Sequence, residues 1–168
     1  MLELSRIQNI PLFKGLSEKQ LKKLQKVLTV QNVGENAVVI RDNDESTEMF
    51  ILLEGEVQIS KPLVPSLPQL GIDQQDKSII RLSGSNHEFF GEMAILEPNS
   101  RRMANVTATK RCVLAVMRKQ DFTALIREDI QLGYTLMNNI AKILSARLGK
   151  ANADIIKLAI AFSLALEK

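Results

Sequence analysis

The chain predicts a mainly β domain, a jelly-roll barrel (double-stranded β-helix), with helices before and after it. Three observations carry this. Residues 29–118 break into short runs rich in β-branched or apolar residues, separated by turn signals. From Arg118 onward the apolar period changes to that of a helix. Ahead of the β-rich stretch, Ser17 is followed three residues later by Gln20 and then by an apolar helical pattern, the signature of a capped helix start. The length of 168 residues allows one domain plus a helical extension, read here as 1–128 and 129–168.

Residues 4–28 hold a short helix and turn, then the helix opened by Ser17, in which Leu21, Leu24, Val27 and Leu28 recur at helical spacing. The expected strands are Val38–Ile40, Met49–Leu53, Glu56–Ser60, Ser78–Leu82, Ala104–Thr109 and Cys112–Met117. Turns are marked by Gly34, Asp42-Asn43-Asp44, Glu54-Gly55 and Gly84-Ser85; Asn43 tolerates left-handed backbone. Lys61–Lys77 carries three of the five prolines, so it reads as a long connection rather than a paired strand. Its apolar residues Leu63, Val64, Leu67, Leu70 and Ile72 are expected to fold back on the barrel; the alternative is a partner surface.

Phe122, Leu125 and Ile126 fit a short helix after Asp121. Asp129–Leu148 then forms a long one, with Ile130, Leu132, Leu136, Ile140, Ile143, Leu144 and Leu148 in a stripe wider than one contact with the barrel requires. Gly149 is expected to break it, with Asn152 or Asp154 capping a last helix through Leu166. That last segment is apolar on nearly all sides and is expected to be covered, by a second copy or by another protein.

The most informative stretch is Phe89 to Ala108, where one acid and one arginine sit on a short loop between strands. Gly91 lets backbone approach a ligand closely. The turn Glu92–Leu96 presents N–H groups at its start, which suits an anion. Arg102 offers a planar fork of donors matched to phosphate oxygens, and Glu92 accepts hydrogen bonds from hydroxyls. Together they describe a ribose-phosphate site.

Phe90-Gly91-Glu92-Met93-Ala94, followed by Arg102-Met103-Ala104-Asn105-Val106, resembles the phosphate-binding cassette of cyclic nucleotide-binding domains. The resemblance implies that Glu92 holds the ribose 2′-hydroxyl and that Arg102 binds the cyclic phosphate. Arg101 is the fallback for the phosphate role, because the spacer length varies in the family. Met103 stands where the family often has a small or hydroxylated residue, which argues mildly against cGMP. The implied ligand is therefore cAMP, with cGMP weaker. Ile10-Pro11-Leu12-Phe13-Lys14-Gly15-Leu16-Ser17 resembles the family's helical entry, and Ile140–Leu148 resembles the dimer helix of bacterial catabolite-activator-like regulators. On that resemblance Leu136, Ile140 and Leu144 are expected at a homodimer contact. A second reading keeps the fold as a ligand-free interaction scaffold.

Other function classes find little support. A net charge of +3 with no long Lys/Arg run, and no recognition helix before Lys168, leads us to expect no sequence-specific DNA binding. His87 is the single histidine and is expected in solvent, so no His pair for a metal exists, and neither Ser85 nor Ser100 sits in a nucleophile-elbow pattern. An enzyme and a resident cofactor are therefore not expected. Cys112 is the only cysteine and reads as an inert core thiol, compatible with a reducing cytoplasm. The start, MLELSRIQNIPLF, lacks the pattern of a secretory signal, and no apolar run is long enough to span a bilayer.

Overall fold

The computed structural model describes residues 2–62, 76–97 and 101–166. Helix α1 (Leu4–Gln8) and a 3-10 turn at Pro11–Phe13 lead into α2 (Glu18–Val27). Ser17 caps α2 through the reciprocal box the sequence signals: its side chain accepts from the Gln20 N–H while the Gln20 side chain accepts from the Ser17 N–H. Eight strands follow: β1 (Thr29–Val33), β2 (Val38–Ile40), β3 (Glu48–Glu54), β4 (Glu56–Pro62), β5 (Asp76–Ser83), β6 (Phe89–Phe90), β7 (Asn105–Ala108) and β8 (Cys112–Arg118). They form two antiparallel four-stranded sheets, ordered β1-β8-β3-β6 and β2-β7-β4-β5. The jelly roll is thus two packed sheets, with no closed hydrogen-bonded barrel among the described residues.

Period-2 alternation divides the apolar residues between two cores. On β3, Phe50 and Leu52 face the space between the sheets while Met49, Ile51 and Leu53 face the helices. On β8, Cys112, Leu114 and Val116 face inward while Ala115 and Met117 turn to the helical side. The helical layer adds Leu21 and Leu24 from α2, Phe122 and Leu125 from α4 (Lys119–Glu128), and Leu132, Leu136 and Ile140 from α5 (Ile130–Leu166). Asp129 fixes the start of α5: its carboxylate accepts from the Leu132 N–H at 2.9 Å and from Lys23 Nζ at 3.2 Å. Those bonds, led by the backbone one, hold the Asp129 carboxyl below its usual range. Cys112 is fully buried, and burial pushes its thiol up.

Several expectations need correction. Gly149 does not break the helix: α5 runs unbroken for 37 residues. A helical glycine costs about 1 kcal/mol relative to alanine, too little to end a helix flanked by good helix formers such as Leu148, Lys150 and Ala151. Leu136 and Ile140 are 1% and 2% exposed against their own domain, so they are not available to a second copy. His87 is half-buried rather than solvated; its backbone is left-handed (φ 46°) and its Nδ1 is buried without a hydrogen-bond partner among the described residues. The turn signalled by Gly34 does join β1 to β2, and within it Asn36 takes the left-handed conformation (φ 64°). Pro62 stays in register with Asp76 at the end of β4, beyond the last residue that β7 pairs with. The apolar residues expected to fold back from the long connection lie in 63–75, outside the described residues.

Candidate nucleotide-binding cleft

The stretch after β6 positions the cleft. Gly91 has φ +75°, and the four-residue helix α3 (Met93–Leu96) starts two residues later. The Ala94 N–H turns back to the Gly91 carbonyl at 3.3 Å. On the other side, the backbone of Arg102 is pinned to the turn after β2: Asn43 N–H donates to Arg102 O at 2.8 Å, and Arg102 N–H donates to Asp44 O at 2.9 Å. Asn43 adopts the left-handed conformation (φ 69°) that its type tolerates.

These two segments wall a cleft of about 170 Å³. Its lining contains all nine expected residues: Phe90, Gly91, Glu92, Met93, Ala94, Arg101, Arg102, Met103 and Ala104. Ile40, Ile59 and Val106 from the strands add apolar surface, and Arg147 reaches in from α5. The sequence reading did not name Arg147, which lies 45 residues beyond Arg102. Its signal would have been a lone long cation among α5 residues that otherwise pack on the domain.

The two neighbouring arginines have different surroundings. Arg101 lies at the rim and pairs with Glu45 at 2.8 Å. Arg102 is buried, its side chain 4% exposed. Its Nε donates to Ser46 Oγ (2.8 Å), Nη1 to Gly91 O (3.0 Å) and Nη2 to Glu48 O (2.6 Å). Among the described residues the one carboxylate in salt-bridge range is that of Glu48, 3.9 Å away. Burial pulls the guanidinium below its usual range, while Glu48, Asp44 and Glu92 act in the opposite sense. An arginine nonetheless stays charged, so the cleft has a cationic floor. Glu92 makes no salt bridge with Arg102 among the described residues.

Aromatic rings support this floor. The Arg102 guanidinium lies 6.0 Å from the centroid of Phe50, and Phe50 stacks on Phe90 at 5.3 Å. Phe90 lines the cleft, whereas its neighbour Phe89 faces the helices.

The sequence pattern of the Cyclic nucleotide-binding domain family matches residues 30–129, more than half of the chain. This chain belongs to that family. Among curated relatives, it is 30% identical over 146 residues to a candidate potassium channel protein of Rhodopseudomonas palustris, covering 87% of this chain and 31% of the relative. It is 27% identical over 125 residues to the cAMP-dependent protein kinase regulatory subunit of Mycosarcoma maydis, covering 71% of this chain and 22% of that protein. The domain therefore spans about a third or less of these relatives. Among solved structures, a cyclic nucleotide-binding domain from Methylobacillus flagellatus superposes with a TM-score of 0.77 at 18% identity, covering 91% of this chain and 82% of that one. At that identity the likeness establishes the fold alone. Among the described residues of this domain, no helix is long and apolar enough to cross a membrane.

Proposed function

We propose that this domain is a sensor that binds cAMP, and cGMP more weakly, in the cleft between α3 and β7, and that α5 carries the signal. In this reading the phosphate sits on Arg102, the ribose 2′-hydroxyl on Glu92, and the backbone from Gly91 to Ala94 lies close by. The observation that carries the proposal is the state of Arg102: a guanidinium almost fully removed from water, with no carboxylate nearer than 3.9 Å among the described residues. Buried charges are ordinarily closely paired, and a cyclic phosphate monoanion supplies a nearer countercharge than Glu48. The bonds Arg102 already makes to two carbonyls and a hydroxyl favour the ligand-free scaffold instead, because they hold the side chain without help. Calorimetric titration with cAMP and cGMP separates the two readings. Arg102→Ala should lose about 2–5 kcal/mol of binding, some thirtyfold or more in affinity. Glu92→Ala should lose about 1.5–3 kcal/mol, the scale of a charge-assisted bond. Undiminished binding by Arg102→Ala, with loss in Arg101→Ala, would reassign the phosphate to Arg101.

We also propose a homodimer, through a seam of α5 that keeps Leu144 of the expected contact and leaves out the buried Leu136 and Ile140. Ile130, Tyr134, Met137, Ala141, Leu144, Leu148, Ala151, Ile155, Leu158, Phe162 and Ala165 follow an unbroken alternation of four- and three-residue steps. That is the a/d seam of a coiled coil, sustained over five heptads. The seam is left uncovered along the helix: Ile130 is 81% exposed, Leu148 62% and Leu158 70%, with only Leu144 half-buried. An a/d seam is self-complementary, which favours a second copy over an unrelated partner.

A further inference from the structure

Helix α5 falls into two halves of similar length. From Ile130 to Leu148 it carries the domain on one face, where Leu132, Leu136 and Ile140 are buried. From Gly149 to Leu166 every residue is exposed. The uncovered seam runs through both halves, and its residues differ in size: Ala141, Ala151 and Ala165 are spaced among Tyr134, Leu148, Leu158 and Phe162.

We infer that two copies of α5 pair antiparallel, so that the free half of each lies along the domain-bearing half of the other. This orientation presupposes the homodimer proposed above. Residue size decides between the two directions. In a parallel, in-register pair each seam residue meets its own copy. The three alanines would then face alanines and leave voids, while Tyr134 and Phe162 would crowd their own copies. In an antiparallel pair centred between Leu148 and Ala151, Ala141 meets the partner's Leu158, Ala151 the partner's Leu148, and Ala165 the partner's Tyr134. The remaining layers set Leu144 on the partner's Ile155 and Met137 on the partner's Phe162. Every alanine thus faces a large side chain. Sliding the partner by one heptad in either direction destroys the match, bringing Ala141 onto the partner's Ala151 or onto the partner's Ala165.

The charges beside the seam agree. In the antiparallel register Arg147 and the partner's Asp154 fall at facing positions, and the twofold axis makes that contact twice. In the parallel register Arg147 would face the partner's Asn152, and Asp154 the partner's Ala159. Both groups have capacity for the contact. Arg147 engages the Phe89 carbonyl through one nitrogen of its fork, and Asp154 is exposed beside Lys157. The domain leaves the seam open to a partner helix, since Tyr134 is 66% exposed and Met137 41%.

Sedimentation equilibrium on the full chain tests the orientation. Ala141→Leu should weaken the dimer about tenfold or more, because it sets leucine against the partner's Leu158 in two layers at once. Adding Leu158→Ala to that variant should bring association back to within about threefold of wild type, since each such layer again holds one leucine and one alanine. A parallel pair responds in the reverse order: Ala141→Leu fills an alanine layer and tightens the dimer, and the added Leu158→Ala weakens it. Ala141→Leu that associates as tightly as wild type, or more tightly, overturns the inference. Nitroxide labels on Ser163→Cys, an exposed position of the tail, give a second reading that leaves the seam intact, with the buried Cys112 as background. The two labels should lie about 40 Å apart, from a rise of about 1.5 Å per residue. A distance below about 30 Å in a dimeric sample overturns the antiparallel pairing and leaves the dimer proposal standing. A wild-type monomer removes both.

Discussion

Alanine at Gly91 is the most sensitive probe of how the cleft is built. The residue has φ +75°, a left-handed conformation that costs an L-residue about 1–2 kcal/mol. Its new Cβ would lie 2.7 Å from Arg102 Nη1, 3.1 Å from the Glu48 carbonyl and 3.3 Å from Ile40 Cδ1. The guanidinium has little freedom to yield, because Nε and Nη2 are tied to Ser46 and to the Glu48 carbonyl. Displacing Nη1 loses its bond to the Gly91 carbonyl, about 1.5–3 kcal/mol for a charged donor. The sum is about 2.5–5 kcal/mol of stability, or a fall of about 5–20 °C in Tm for a chain of this size. Urea unfolding followed by circular dichroism measures the first figure, and calorimetry on the same sample should show weakened cAMP binding. A Gly91→Ala domain with the wild-type midpoint and wild-type affinity would refute both the strained-turn argument and the role given to Arg102.

Gly149→Ala should act in the opposite direction: with nothing near the added methyl group, it should raise helix stability by about 1 kcal/mol, read as a higher urea midpoint or slower exchange along the tail. Asp129 adds a pH dependence. Its carboxyl is held low in the folded state, so its contribution is present above the unfolded value near 3.9 and is lost as pH falls through the lower folded value. The gap in urea midpoint between wild type and Asp129→Asn should therefore shrink from pH 7 to pH 3; a constant gap would contradict it. Polar replacements at Leu148, Ile155 and Leu158 should give a folded monomer in sedimentation at micromolar concentration, whereas Leu136→Ala should instead cost about 2–5 kcal/mol of domain stability. A wild-type monomer would end the dimer proposal.

Elements with strong local signals were readable in the sequence. The Ser17 box, the alternating runs of β3 and β8 and the sequence around Glu92 and Arg102 each specify their own geometry through capping, period or side-chain chemistry. Elements whose form depends on distant packing were not. Strand β1 buries only Val33, so it lacks the alternation that marks a half-buried strand. Strand β6 is two residues long and exists through its pairing with Phe50 and Ile51. The two faces of α5 were merged into one wide stripe, because Leu136 and Ile140 belong to the domain contact whereas Ile130 and Leu148 are exposed. The alternating steps of four and three were present in the sequence and separate the faces once counted. Arg147 stands out in the sequence only as a lone cation on the packed face of α5; that it reaches the cleft follows from how α5 lies across β6.

The central claim is that the cleft above Arg102 takes a cyclic nucleotide. A crystal structure of this domain with cAMP tests it most directly. Phosphate oxygens should lie within hydrogen-bond distance of the Arg102 guanidinium, and the ribose 2′-hydroxyl on a Glu92 carboxylate oxygen. Nucleotide bound elsewhere, or none bound at a saturating concentration while the Arg102 bonds to Ser46, Gly91 and Glu48 stay in place, would contradict it.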